Sequence, residues 1–337
     1  MKSKLARYRG WARSAAAPRA RLLPGLGVRL AARPAVAEAV FNALRMLPGR
    51  ALRQLATKYV ARPLVTRMDA KLEVRTDGDF VIRVETSEPM GRVLAASGRW
   101  EPHVTAAFQA LLEPGDVCVD VGANIGYNAL LAAQLVGPEG HVYALEPSAQ
   151  THEWLLENLQ LNGTSNVTAL RVAAGAADGE ILLRDRPEGQ SVRSAVGGID
   201  ESLPAESLVS VPVQTVASLI QPSEAARLRL VKIDVEGFEL EVLRGARPVF
   251  DSGGRPAVIA ELHRGHVDET VSFLLELGHE CGLTLYKLVN DDAPPRRRAQ
   301  NDGLPGWIDY PVAPGSARLP NGVHVILAST SIVEQAG

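Results

Sequence analysis

The reading of the fold turns on one stretch, Val117-Cys118-Val119-Asp120-Val121-Gly122-Ala123-Asn124-Ile125-Gly126. Its first five residues are apolar except Asp120 and predict a buried strand over 117–121. Gly122 permits a tight turn, and Gly126 lets a helix over 126–135 start close against the strand and a ligand. The alternation continues downstream. Strands are predicted at 141–145, 167–171, 209–213, 228–233, 258–262, 283–288 and 323–328. Helices are predicted at 148–162, near 216–220, from 239–245, and at 268–277 closed by Gly278. Parallel strands need crossover connections that cover both faces, so the pattern is α/β, a doubly wound, Rossmann-like sheet. Ligands of such sheets sit at the carboxyl ends of the strands, which points to the loops after Val121, Leu145, Ile233 and Leu262.

Upstream, Leu72 to Val74 and Phe80 to Val84 alternate around Asp77-Gly78 as a hairpin, and a helix over 103–112 ends at Glu113-Pro114-Gly115. Val36, Val40, Phe41, Leu44 and Leu47 recur at helical spacing between Pro34 and Pro48, and a second helix is predicted over 51–60. Residues 1–33 read as flexible, 175–205 as a polar hairpin and loop beside a site, and 290–322 as a long loop. The chain thus divides into a basic, partly disordered or helical extension (1–62), a hairpin-and-helix layer packing on the core (63–112) and the sheet domain (113–332).

The 337 residues are 46% hydrophobic and 22% charged, which excludes disorder throughout, collagen-like and coiled-coil readings. Cys118 and Cys281 are too few for a disulfide framework or a four-cysteine zinc site and read as small buried hydrophobes in a reducing setting. No apolar run is long enough to span a membrane. Residues 1–62 hold 14 Lys/Arg against Glu38 alone, a charge of +13 that leaves −15 on the remainder. That arm is either a solvated extension or a contact for anionic lipid, nucleic acid or an acidic partner.

A dinucleotide fingerprint keeps glycine where backbone meets pyrophosphate, but Asn124 and Tyr127 stand at its second and third glycine positions. Asp120 at the strand end repels phosphate and suits a cationic ligand. Glu146, in Ala144-Leu145-Glu146-Pro147, ends the next strand, where an acid accepts hydrogen bonds from ribose hydroxyls. Asp234 is placed at the sheet's carboxyl edge with Glu236 two residues on, and Glu261 and His263 are spaced to face one direction. Four such groups around one cleft could act as general base or hold a divalent cation; no metal ligand set is assigned from the sequence.

Asp120 to Gly126, Glu146-Pro147, Glu157-Asn158 with Leu161-Asn162, and Lys232-Ile233-Asp234-Val235-Glu236-Gly237 resemble the FkbM-type family of S-adenosylmethionine-dependent methyltransferases. Trp100-Glu101-Pro102 resembles that family's lead-in, and the likeness spans roughly 92–285 with its motifs in order. The resemblance implies a seven-stranded class I methyltransferase sheet with the last strand antiparallel. It implies S-adenosyl-L-methionine as cofactor and O-methyl transfer to a hydroxyl on a sugar, glycan or polyketide-type molecule. On it, Asp120, Gly122, Asn124, Gly126, Glu146, Pro147 and Ala173 are the expected cofactor contacts. Asp234, His263, Glu261 and Glu236 are the expected catalytic residues, with Asp234 and His263 activating the hydroxyl. The chain departs from the family at Thr215-Val216-Ala217, where Thr-Leu-Asp is frequent, and at Val172-Ala173-Ala174-Gly175, less polar than the usual adenine-side loop. His103 is expected to face solvent; Ser191, Ser194 and Arg296 to Arg298 are weaker candidates for ligand contact.

The expected setting is cytoplasmic, with peripheral membrane contact through the basic arm as an option. Three alternatives stand beside this reading. A nicotinamide-dependent oxidoreductase is disfavoured by Asn124. A catalytically idle methyltransferase-like module would be docked by its arm to a membrane or partner. Methylation of an amine or nucleic acid is opposed by the −15 domain charge and the lack of an Asn-Pro-Pro-aromatic motif.

Overall fold

The computed structural model describes residues 43–44, 56–65, 69–184, 208–253, 255–263, 266–288, 308–313, 319 and 322–335. Most of the basic arm, including nearly all of the helix expected over 34–47, therefore lies outside the described residues, as do Ser191, Ser194 and Arg296 to Arg298. The second expected helix is described only from Ala56, where Thr57–Ala61 winds as a π-helix and continues into an α-helical turn at Arg62–Val65.

The hairpin forms as the alternation predicts. Lys71–Arg75 (β1) and Val81–Glu85 (β2) pair antiparallel, with Leu72, Val74, Ile82 and Val84 buried. A helix absent from the sequence reading follows at Pro89–Ser97 (α1), started by Pro89 and closed by Gly98 in a left-handed conformation. Pro102–Leu111 (α2) then buries Val104, Ala107, Phe108 and Leu111 at helical spacing.

Val117–Val121 (β3), Tyr127–Val136 (α3), His141–Leu145 (β4), Ala149–Leu161 (α4) and Val167–Leu170 (β5) build the first half of the sheet. Ala173–Ala174 (β6), Gly179–Arg184 (β7) and Leu208–Gln214 (β8) form a separate three-stranded sheet. The strand expected over 209–213 thus exists but stands outside the main sheet. Leu228–Ile233 (β9), Glu239–Asp251 (α5), Ala257–Leu262 (β10) and Val267–Cys281 (α6) complete the alternation. Helix α6 passes Gly278 and ends one turn later at left-handed Gly282. Thr284–Leu288 (β11), Ile308–Pro311 (β12) and Val323–Ala328 (β13) follow; β12 lies where the sequence predicted only loop.

The main sheet runs β12-β11-β13-β10-β9-β3-β4-β5. Leaving out β12, its strands in chain order stand third, second, first, fourth, fifth, seventh, sixth, and β13 is antiparallel to both neighbours. That is the seven-stranded sheet the resemblance implies, with one added edge strand. Its central strands are buried on both faces. Val117, Val119 and Val121 pack with Val242, Leu243 and Phe250 of α5 and Leu274 and Leu277 of α6. Cys118, Leu230, Ile259 and Ile326 pack on the opposite side with α2, α3 and the hairpin. Among the described residues no helix is long and apolar enough to cross a membrane.

Two asparagines bind the hairpin to α4. Asn158 Oδ1 accepts from Arg83 N (2.7 Å) and its Nδ2 donates to Arg83 O (3.2 Å) and Ile125 O (2.9 Å). One helical turn on, Asn162 Oδ1 accepts from Val81 N (2.9 Å) and its Nδ2 donates to Val81 O (2.6 Å). The pair serves alternate residues of β2 as a neighbouring strand would, satisfying backbone groups that an edge strand otherwise exposes.

Candidate active site

The loop after β3 is shaped by contacts to backbone. Gly122 has φ +75, and a Cβ there would stand 1.9 Å from Asp234 O, so only glycine lets the β3 and β9 tips touch. Asn124 is also left-handed (φ 51), a conformation asparagine tolerates, and its side-chain oxygen accepts from Ile125 N (2.8 Å). The strand pairing carries charge to the same place. One face of the sheet that is apolar at Cys118, Leu230, Ile259 and Ile326 becomes polar two residues on or, in antiparallel β13, two residues before. There Asp120 pairs in register with Lys232, and Glu261 with His324, a row of ionisable groups across four adjacent strands.

Lys232 is 2% exposed. Its Nζ lies 3.4 Å from both Asp120 Oδ1 and Asp234 Oδ2 and donates to Gly122 O at 3.2 Å. Burial would lower its pKa, but Asp120 and Asp234 raise it above the usual lysine range, so it remains a cation. Asp120 is fully buried beneath this ammonium, and burial pushes its carboxyl up against the pull of Lys232. Asp234 is half-buried, and its partial loss of solvent alone would raise it, yet Lys232, His324 and His263 together hold it below the ordinary carboxylate range. Glu261 is pushed up to about 7 by burial and by negative Asp234.

His263 Nδ1 donates to Glu239 Oε1 (2.8 Å), and that oxygen also accepts from Gly237 N (2.9 Å). The imidazole's Nε2 is thereby aimed at Glu236 Oε2 (3.4 Å) and Glu261 Oε1 (3.7 Å). Burial opposes protonation, but the Glu239 hydrogen bond and the charges of Glu261 and Glu236 outweigh it and raise His263 to about 9. Three of the four non-glycine residues with positive φ among the described residues, Glu101, Asn124 and Glu236, stand around this cluster, where backbone strain is typically stored. His103 does not face solvent: its ring lies edge-on to His324, Nε2 to Nδ1 3.1 Å.

Two adjoining cavities open over these residues. The smaller, about 110 Å³, is lined by Gly122, Asn124, Glu146, Pro147 and Ala173 together with Val172, Leu183 and Phe238. The larger, about 320 Å³, is lined by Met90, Trp100, Trp154 and the carboxylates Glu85, Glu88, Glu101 and Glu261, with His263. Asn124, Thr151, Asp234 and Glu236 line both. The strand-tip loops singled out in the sequence therefore converge. Asp120 and Gly126 line neither cavity: Asp120 lies under Lys232, and Gly126 makes room for Leu155 of α4, whose Cδ1 would be 2.7 Å from a Cβ there. The sequence reading assigned no part to Lys232, Glu239 or His324. A lysine and a histidine inside the apolar runs 228–233 and 323–328 are the signals that mark two of them.

The family model described as Methyltransferase FkbM domain matches residues 120–282. The hexuronic acid methyltransferase AglP of Haloferax volcanii is 30% identical over 219 residues, which cover 65% of this chain and 84% of that protein. The chain belongs to the FkbM methyltransferase family. Shorter similarities are to a protein-L-isoaspartate O-methyltransferase of Ignicoccus hospitalis, 44% identical over 71 residues (20% of this chain, 34% of that protein), and to Methyltransferase 1 of Beauveria bassiana, 30% over 142 residues (38% and 57%).

This FkbM-family chain is thus a methyltransferase that uses S-adenosyl-L-methionine, and its smaller cavity fits that group. Glu146 Oε2 accepts from Asn124 N (2.9 Å) and Oε1 from Ser148 N (3.0 Å), leaving each oxygen a further lone pair for a diol. Burial pushes Glu146 up to about 7 against these two N–H groups. Val172, Ala173, Leu183 and Phe238 offer an apolar slot for a base, and Asp234 and Glu236 stand at the cavity's edge toward a cationic centre. No Lys or Arg side chain lines this cavity among the described residues, which suits a sulfonium nucleoside and not a pyrophosphate.

Proposed function

We propose that the chain transfers a methyl group to a hydroxyl oxygen of a sugar, free or within a glycan. The carrying observation is the wall shared by the two cavities: Asp234 lines both, so a hydroxyl in the larger one meets a carboxylate where the methyl donor's cavity begins. Glu146, Gly122 and Asn124 would hold S-adenosyl-L-methionine, with Ala173 and Pro147 against its nucleoside. When bound, that cofactor supplies a methyl group made electrophilic by its positive sulfur.

The protein's share of the reaction is alignment and proton management. Trp100, Trp154 and Met90 give the larger cavity flat and apolar walls for the C–H faces of a sugar ring, while Glu85, Glu88 and Glu101 accept hydrogen bonds from its hydroxyls. Asp234, fixed by Lys232 at 3.4 Å, takes the proton of the attacking hydroxyl. His263, oriented by Glu239, and Glu261 beside it hold the acceptor oxygen toward the seam. The hexuronic acid in AglP's name supports a sugar acceptor over a polyketide. On this reading the enzyme works in the cytoplasm, its basic 1–62 arm resting on an anionic membrane surface. Salt-sensitive co-sedimentation with anionic but not neutral vesicles tests the arm.

The test of the function is a labelled-methyl screen over neutral hexosides, uronosides and lipid-linked sugars, run beside Asp234→Asn. The variant is expected to bind S-adenosyl-L-methionine as the parent does and to lose turnover by about 10²–10⁴-fold. Normal turnover by Asp234→Asn removes the residue from the mechanism, and a screen labelling only amines or nucleic acid removes the hydroxyl acceptor.

A further inference from the structure

The larger cavity is lined by six carboxylates, Glu85, Glu88, Glu101, Asp234, Glu236 and Glu261, and by His263 as its one basic side chain among the described residues. Behind it stands a second imidazole. His324 is 7% exposed, and its Nε2 has no hydrogen-bond partner although two carboxylates face it. Glu101 Oε2 is 3.5 Å away and likewise lacks a hydrogen bond; Glu261 Oε2 is 3.8 Å away. Both are ion-pair separations, longer than a close hydrogen bond. They match the edge of a coordination tetrahedron, roughly 3.4 Å for ligand bonds of about 2.1 Å. The ligand atoms of Glu101, Glu261 and His324 all lie within 4.8 Å of one another.

With its proton on, His324 is the cation of an ion pair with these carboxylates; with that proton displaced, Nε2 and the two carboxylates make a ligand set. His324 Nδ1 is engaged by His103 Nε2 at 3.1 Å, so the ring is held from its far side with Nε2 presented to the carboxylates. Cross-strand register places Glu261 directly opposite His324, on rigid β10 and β13. Glu101, at the start of α2, closes the third side from a left-handed backbone. Both glutamates also line the larger cavity, so one face of the triad opens toward the acceptor.

We propose that Glu101, Glu261 and His324 form a site for a divalent first-row cation such as Zn²⁺ or Mn²⁺, with one position open to the larger cavity. One imidazole with two carboxylates is the donor mix such ions take. An acceptor hydroxyl or a water fills the open position, and the cation's charge favours the alkoxide form of that hydroxyl while Asp234 receives its proton. The binding site stands on the triad alone; only this catalytic consequence rests on the hydroxyl-methylation reading.

The experiment uses the full chain, stripped with chelator and dialysed, and titrated with Mn²⁺ by electron paramagnetic resonance and with Zn²⁺ by calorimetry. One ion is expected to bind per chain, and His324→Gln and Glu101→Gln are each expected to weaken binding at least tenfold. S-adenosyl-L-methionine is titrated separately into each protein; His324 does not line the cofactor cavity, so His324→Gln is expected to bind it as the parent does. A His324→Gln protein that loses the cofactor as well is counted as misfolded, and Glu101→Gln then decides by the same criterion. No ion bound by the parent chain, or unchanged ion affinity in a variant that retains the cofactor, overturns the site. Ion binding without hydroxyl methylation would leave the site and remove only its catalytic use.

Discussion

Substituting Glu146 by Gln separates a charge from a shape. The side chain is 7% exposed, and burial raises its folded pKa from 4.5 to about 7. A carboxyl with a raised folded pKa holds its proton more tightly in the native than in the unfolded chain. Its contribution to stability is therefore present below about pH 4.5 and is lost as pH rises through 7. Each tenfold difference in proton affinity between the two states corresponds to about 1.4 kcal/mol, so the loss between the two limits is about 3 kcal/mol. Glu146→Gln cannot ionise and escapes it. The variant forfeits one of the two backbone N–H bonds, but that cost does not vary with pH. Urea unfolding of both proteins at pH 4.5 and pH 8 should show the difference in unfolding free energy moving by about 3 kcal/mol in the variant's favour at the higher pH. Affinity for S-adenosyl-L-methionine should follow the opposite course in the parent, rising toward pH 7 as the ionised carboxylate becomes available to a diol, and should be flat in Glu146→Gln. Parallel pH profiles of stability would refute the argument that this acid is buried at a cost the cofactor relieves.

Three other perturbations have defined outcomes. Gly122→Ala puts a Cβ 1.9 Å from Asp234 O at φ +75; beyond the roughly 1–2 kcal/mol of left-handed strain, it must push Asp234 away, so a lowered melting temperature and lost turnover are expected, and parent-like values in both would contradict the contact. Lys232→Met leaves Asp120 and Asp234 without their shared ammonium, an expected loss of about 3–5 kcal/mol in urea unfolding; a loss under about 1 kcal/mol would mean the lysine does not hold them. Asn158→Ala strips Arg83 N–H and C=O of their partners, with about 1–3 kcal/mol lost; hydrogen exchange at the Arg83 amide should quicken relative to core strands, and unchanged exchange would rule out the ladder-like role.

The parallel sheet was readable because its strands are apolar on both faces and separated by helical periods, and Asp120 to Gly126 marks the turn at its centre. What escaped the sequence depends on partners distant in the chain. Strand β12 is four residues long and acquires its identity only by pairing with β11, and β8 reads like a sheet strand although it pairs with β6 and β7. That Glu146, Asp234 and Glu261 line two adjoining cavities was legible because strand ends converge in this topology. Asp120 was misplaced by one layer: alternation turns it to the face where Lys232 already stands, under the cavity floor. His324 and Glu101 meet Glu261 from opposite ends of the chain, and no local spacing encodes that meeting.

The asparagine ladder from α4 to β2 has a consequence for how this scaffold diversifies. Glu85, Glu88, Met90, Trp100 and Glu101, which face the larger cavity, all come from the layer before β3, and none of them lines the smaller cavity. Two side chains, Asn158 and Asn162, clamp that front layer through the main chain of Val81 and Arg83, a contact that does not depend on which side chains the layer carries there. The cavity-facing positions Glu85, Glu88, Met90 and Trp100 can therefore vary with little disturbance to the strand-tip loops that line the smaller cavity.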